Sequence, residues 1–143
     1  MKIGTIVAGI AGGIVMFLLG FLFFGYLLSD YFKANTIQYA GLMKDPPIIP
    51  FIFMFNLVWG WLIAFILEYG GRSGWAEGAK IGAITLFMIS LGMNIEFEAF
   101  MNVHESMAPI LVQLVVIIVM GLIAGAVIGL VQGKFSRKIA EAV

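Results

Sequence analysis

Four long apolar stretches alternate with short polar segments along this chain, at about residues 3–28, 48–67, 81–101 and 107–131. Each stretch is long enough for the ~20 residues that a helix needs to cross the hydrocarbon core of a bilayer. Because the stretches use most of the chain, the pattern predicts an all-α integral membrane protein that forms a single domain over residues 1–143. We expect four transmembrane helices in two hairpins, with an outer loop at residues 29–47.

The composition agrees with this class of protein. Hydrophobic residues make up 62% of the chain and charged residues 11%, with a mean hydropathy of +1.09, whereas soluble domains have about 25% charged residues. The first stretch follows Lys2, as a secretory signal would, but its uncharged run is longer than the ~7–15 residues of a signal core. We therefore expect a retained helix. The chain has no cysteine, which excludes disulfides and thiolate chemistry.

The basic residues predict an orientation in the membrane. Six of them fall on the side that holds both chain ends and the loop between the second and third helices: Lys2, Arg72, Lys80, Lys134, Arg137 and Lys138. Only Lys33 and Lys44 fall on the other side. Because basic residues concentrate in cytoplasmic loops, we expect both termini in the cytoplasm and a bacterial inner-membrane location. No dense basic stripe is present, so a nucleic-acid partner is not expected.

Glycines spaced by four residues mark helix faces that can approach another helix closely. The longest such ladder, a glycine zipper in the last stretch, is about 18 Å long at 1.5 Å per residue. In lipid, small residues promote helix association by allowing backbone contact. Shorter ladders occur in the first and third stretches, and all three map to the cytoplasmic half. The predicted helix-packing positions are Gly9, Gly13, Gly78, Gly82, Gly121, Gly125, Gly129 and Gly133.

Polar residues in the outer half of the predicted bundle suggest a second kind of site. They are Asn56, Ser90, Asn94, Glu98 and Gln113. Three of them share a face of the third helix because they are spaced by four. They could line an outward-facing cavity with Glu98 as its charged member. Alternatively, the amides simply bond between helices while Glu98 extends to the interface.

The single histidine, His104, is a candidate ligand for a metal, haem or chlorophyll, with Glu98 and Glu105 nearby in the sequence. A spaced second nitrogen ligand is missing. We therefore predict neither a metal site nor a cofactor.

Two functions are compatible with these features. The first is a structural or accessory membrane subunit that packs through its glycine-rich faces, with membrane lipids and a homo-oligomer or larger membrane complex as partners. The alternative is a small transporter or channel component that uses the polar cavity around Glu98. No nucleophile, base and carboxylate occur at a recognisable spacing, and no phosphate-binding loop is present, so we do not expect an enzyme. No residues are diagnostic of a named family.

Overall fold

A computed structural model describes the backbone of residues 2–141 and the side chains of residues 2–135. Five α-helices account for most of these residues. They are α1 (Ile3–Gly20), α2 (Ser29–Asn35), α3 (Ile49–Tyr69), α4 (Trp75–Phe100) and α5 (Ala108–Glu141). Helix α1 continues into a π-helical segment at Phe21–Leu27. Within the described residues no β-strand is present, apart from one isolated antiparallel bridge between Thr36 and His104. The prediction of an all-helical protein is therefore confirmed.

Four helical segments are long and apolar enough to cross a membrane: Ile3–Leu27, Ile49–Tyr69, Trp75–Phe100 and Ala108–Phe135. Their outward surfaces carry large exposed apolar side chains along much of their length, among them Leu18, Phe51, Val58 and Leu111. In water such a surface would be a serious liability, whereas a bilayer supplies the apolar solvent that it needs. The helices thus confirm the prediction of an integral membrane protein.

Two helices extend beyond the apolar stretches that predicted them. Helix α4 begins at Trp75 rather than near residue 81, and α5 continues to Glu141 rather than ending near residue 131. The first turns of α4 carry charges that pair locally, since Glu77 lies 2.7 Å from Arg72 and 3.3 Å from Lys80. Hydropathy marks the part of a helix that lipid covers, so it misses charged turns at the ends.

The turn between α3 and α4 is short and glycine-rich. Gly71 has a φ of 62°, and Gly74 a φ of 96°, a left-handed conformation that glycine adopts without a steric penalty. The N–H of Gly71 donates to the carbonyl of Glu68 at 3.1 Å, which caps the last turn of α3. The N–H of Gly74 donates to the carbonyl of Gly129 at 3.0 Å, so the turn is also fixed to α5.

Helix α5 is central in the bundle. It packs most extensively against α4 and also contacts α1 and α3, while α1 packs along α3. The core between these helices is made of apolar side chains that are almost completely buried, including Ala8, Met16, Ile63, Ala124 and Ile128. The close approach of α4 and α5 leaves α4 with few other neighbours inside the bundle.

The bundle has two ends, the Gln132 end and the His104 end, each named after one residue in it. The Gln132 end contains the start of α1, the turn between α3 and α4, and the part of α5 around Gln132, which are joined by hydrogen bonds. The His104 end contains residues 28–48 and 101–107, where the N–H of Ile37 donates to the carbonyl of Val103 at 2.8 Å. The predicted domain of residues 1–143 extends past the described residues at both ends. Arg137 and Lys138, used in the charge argument, lie outside the described side chains.

Candidate functional site

Helices α4 and α5 approach so closely at two glycine pairs that no side chain fits between them. A Cβ atom on Gly121 would lie 2.6 Å from the carbonyl oxygen of Gly82. On Gly125 it would lie 2.9 Å from the carbonyl carbon of Gly78. Real Cβ atoms essentially never come within 3.0 Å of such neighbours. Because the neighbours here are backbone atoms, they have no rotamer by which to move away.

Of the remaining two glycines in this ladder, Gly129 is as crowded as Gly125, whereas Gly133 is not. A Cβ atom on Gly129 would lie 2.9 Å from the carbonyl carbon of Gly74 and 3.0 Å from Cα of Gly78. On Gly133 the nearest atom would be the backbone nitrogen of Gly74 at 3.6 Å, an ordinary van der Waals contact. Gly133 therefore marks the end of the close contact, and a methyl group fits there.

Helices α1 and α3 meet in a similar way. A Cβ atom on Gly13 would lie 2.8 Å from Cα of Leu57, and one on Gly9 would lie 2.9 Å from Cα of Trp61. From the opposite side, a Cβ atom on Gly60 would lie 2.6 Å from the backbone nitrogen of Gly13. Gly60 is not among the positions that the sequence analysis selected. It is nevertheless as crowded as the glycines of α5.

Two polar residues of the predicted outward-facing cavity, Asn56 and Asn94, form bonds within their own helices. Asn56 donates through Nδ2 to the carbonyl of Ile52, and Asn94 to the carbonyl of Ser90, each at 2.8 Å. Both asparagines are buried, whereas Ser90 and Gln113 are half-buried. These bonds satisfy an amide donor without reaching a neighbouring helix, which neither interpretation of the sequence expected. Neither of the two clefts described below is lined by any of the five residues.

Glu98 forms a link between α4 and the following loop. Nδ1 of His104 lies 2.6 Å from Oε1 of Glu98, and the histidine side chain is only 10% exposed. The loop is held further by Tyr39, whose hydroxyl donates to the carbonyl of Asn102 at 2.7 Å. Within residues 2–135, no three His, Cys, Asp or Glu side chains lie close enough to hold a metal ion. The geometry assigns His104 a contact that holds the loop.

The cleft nearest to the His104 end is apolar. It has a volume of about 390 Å³ and is lined by Leu28, Leu111, Val112, Val115 and Val116. No polar atom contributes to its surface. This depression therefore offers shape and apolar contact, as an acyl chain requires, and offers nothing to a charged or hydrogen-bonding ligand.

A polar cleft of about 150 Å³ lies at the Gln132 end, and its lining includes Lys2, Thr5, Glu68, Arg72, Ser73 and Gln132. Gln132 is 6% exposed, and its Nε2 donates to the carbonyl of Ala64 at 2.7 Å and lies 3.4 Å from Oγ1 of Thr5. Oε1 of Glu68 accepts a hydrogen bond from the backbone N–H of Lys2 at 3.3 Å. The sequence analysis did not predict this cluster.

Two oxygen atoms in this cleft are buried without a donor among the described residues: Oε1 of Gln132 and Oε2 of Glu68. Buried acceptors are normally paired, because leaving one unpaired costs its full desolvation penalty. The cleft therefore combines two unpaired acceptors at depth with basic side chains of Lys2 and Arg72 at its edge. One signal could have indicated it, since Thr5, Glu68 and Gln132 all lie near those ends of the predicted helices that the charge pattern assigns to the same side of the membrane.

Comparisons with protein-family models, with curated proteins and with solved structures found no match. The functional conclusion therefore rests on the residues and distances given above.

Proposed function

We propose that this protein is a structural or accessory membrane subunit rather than an enzyme. One observation carries the proposal: between the two ends, the bundle is filled by glycine contacts and apolar side chains such as Met16, Leu86 and Ile128. A transporter or channel needs polar groups along a path through the membrane. The buried amides of Asn56 and Asn94 donate to their own helices and do not line such a path.

In this proposal the glycine ladders hold the bundle itself together. Gly125 and Gly129 of α5 face Gly78 of α4, while Gly13 of α1 faces Gly60 of α3. We place these contacts in the cytoplasmic half of the membrane, within two helical hairpins. Contacts with a partner then use the outer faces of the helices, as a homo-oligomer or in a larger membrane complex. Membrane lipids cover the remaining surface.

The proposed orientation has the Gln132 end in the cytoplasm and both termini on that side of a bacterial inner membrane. Its support is the distribution of basic residues. Lys2, Arg72 and Lys80 belong to segments at the Gln132 end, whereas Lys33 and Lys44 belong to the segment at the His104 end. A reporter that is active only in the cytoplasm, fused to the C-terminus, tests this assignment, and activity of a periplasmic reporter at the same position would contradict it.

The subunit proposal is tested by native gel electrophoresis and mass measurement of the chain solubilised from membranes in a mild detergent. We expect a discrete complex larger than the 15.6 kDa chain. Gly125→Leu should disrupt the fold together with the complex, because the ladder packs inside the chain. Gly92→Leu is the matched control, since a Cβ atom there has no neighbour within 4 Å.

Two outcomes would contradict parts of this proposal, the first its subunit role and the second the packing of the glycine ladder inside the chain. A chain that is monomeric in native nanodiscs, with no protein copurifying, would exclude a subunit role. Loss of the complex in Gly125→Leu while the chain keeps its fold would instead assign the ladder to contact with another chain. The transporter alternative has less support, because Glu98 is paired with His104. Substrate uptake that is abolished by Glu98→Gln would favour it.

A further inference from the structure

We propose that the polar cleft at the Gln132 end binds a primary ammonium joined to a phosphate, the chemistry of an aminophospholipid headgroup. This inference does not depend on the subunit role proposed above. It starts from the unpaired acceptors. Gln132 is 6% exposed, its amide nitrogen is already used by Ala64, and its Oε1 has no donor among the described residues. Oε2 of Glu68 is also a buried atom without a donor within hydrogen-bond distance among the described residues, although Glu68 as a whole is half-buried. Both residues line one cleft.

These oxygens require a ligand that donates hydrogen bonds. Glu68 contributes a carboxylate, and the hydroxyl of Thr5, which also lines the cleft, lies between this carboxylate and the amide of Gln132. A primary ammonium has three N–H donors and a positive charge, so it can satisfy both unpaired acceptors at once. An anion alone would be repelled by the same oxygens.

The edge of the cleft has the opposite character. Lys2 and Arg72 line it, and the side chain of Arg72 is 53% exposed. One guanidinium nitrogen of Arg72 pairs with Glu77 at 2.7 Å, which leaves its other N–H groups available. Arginine and lysine are the usual ligands of phosphate. A bare cation would be repelled by the positive charges of these two side chains, whereas a zwitterion with its ammonium inside and its phosphate at the edge matches both parts.

Size and depth agree with this ligand. The cleft volume of about 150 Å³ is several times the ~30 Å³ that one water molecule occupies in the liquid. Tyr69 is 86% exposed and Trp75 is 63% exposed, on either side of the turn that lines the cleft. Exposed aromatic rings of this kind mark the level of the headgroups. The headgroup of phosphatidylethanolamine is therefore a more suitable source of this chemistry than soluble phosphoethanolamine.

The test is thermal unfolding of the delipidated protein in detergent micelles with added lipid. Phosphatidylethanolamine and phosphatidylcholine with identical acyl chains are compared, because they have the same net charge and differ in the N–H donors. We expect phosphatidylethanolamine to raise the unfolding midpoint at concentrations at least tenfold lower than phosphatidylcholine. Soluble phosphoethanolamine is a third arm. Equal stabilisation by the soluble compound would retain the chemistry and overturn the assignment to a lipid.

Two variants connect the effect to the cleft. Gln132→Met removes the amide acceptor at similar length, and Glu68→Gln removes the charge. Each should reduce the preference for phosphatidylethanolamine over phosphatidylcholine to less than threefold, and this ratio is independent of any loss of basal stability. Glu96→Gln, an exposed carboxylate near the other end of the molecule, is the matched control and should keep the full preference. Equal effects of the two lipids on the unmodified protein, or a preference that persists in both cleft variants, would overturn the proposal.

Discussion

Substitution of Gly125 by alanine tests the close contact between α4 and α5 with the smallest possible change. The added Cβ atom would lie 2.9 Å from the carbonyl carbon of Gly78 and 3.0 Å from Cα of Gly82. Carbon atoms in favourable contact are about 3.5–4.0 Å apart. The carbonyl oxygen of Gly78 would lie closer still. Because all three neighbours are backbone atoms of a helix, the helices must separate by about 1 Å or more at this point to restore an ordinary contact.

The expected cost follows from this separation. Overpacking of a tight contact costs about 1–3 kcal/mol. A gap of about 1 Å also removes about half of the dispersion energy at the neighbouring contacts of Gly121 and Gly129. Alanine recovers up to about 1 kcal/mol of helix propensity. We therefore expect Gly125→Ala to lower the free energy of unfolding by about 1–3 kcal/mol.

The free energy of unfolding can be measured by titrating the purified chain in mixed micelles with sodium dodecyl sulfate while recording tryptophan emission. Gly92→Ala is the control, because no atom lies within 4 Å of its Cβ position and only the propensity gain applies. Gly133→Ala, in the same ladder, should also be tolerated, since its nearest contact would be 3.6 Å. If Gly125→Ala is as stable as these two variants, close backbone approach does not constrain this position.

Three further substitutions test other contacts. Gly60→Leu should prevent α1 from packing on α3. In the same titration this variant should unfold at a lower fraction of sodium dodecyl sulfate than the parent and the other variants, and a transition unchanged from the parent would contradict this. Trp61→Phe removes an indole N–H that donates at 3.2 Å to a carbonyl of α1, and should lower the free energy of unfolding by about 0.5–1.5 kcal/mol. His104→Ala removes the 2.6 Å contact with Glu98 and should increase amide hydrogen exchange several-fold in residues 101–107, whereas unchanged exchange would show that the loop is held by other contacts.

The number and positions of the spanning helices could be predicted from hydropathy, but some of their ends could not. The first stretch was predicted to end at residue 28, and the helical segment ends at Leu27. Helix α4 starts six residues before its predicted position, because the charged side chains of Glu77 and Lys80 lower the hydropathy of its first turns. Hydropathy reports which residues lipid can cover. The ends of a helix depend on capping and local ion pairs, which hydropathy does not measure.

Glycine spacing identified crowded positions but not the surfaces that they contact. A ladder on α5 is compatible with any helix, and only the packed structure shows that Gly78 and Gly82 of α4 lie against it. Glycine spacing does not select Gly60, because this residue lies between two tryptophans and has no glycine four residues away. Four residues later comes Ala64, which is completely buried. The pair forms a small-residue motif, so a search that accepted alanine would have found it.

Neither depth in the bundle nor spacing along one helix distinguishes a shared polar lining from bonds that each residue makes within its own helix. Spacing by four places Ser90 and Asn94 on one face, but the same spacing brings the Asn94 amide to the carbonyl of Ser90. The pattern that suggests a shared lining therefore also allows a local bond. Gln132 instead donates to Ala64 on another helix, and its Oε1 stays unpaired among the described residues. A hydrogen bond between helices, as from Gln132 to Ala64, is thus the stronger indication of a polar site in a small membrane bundle.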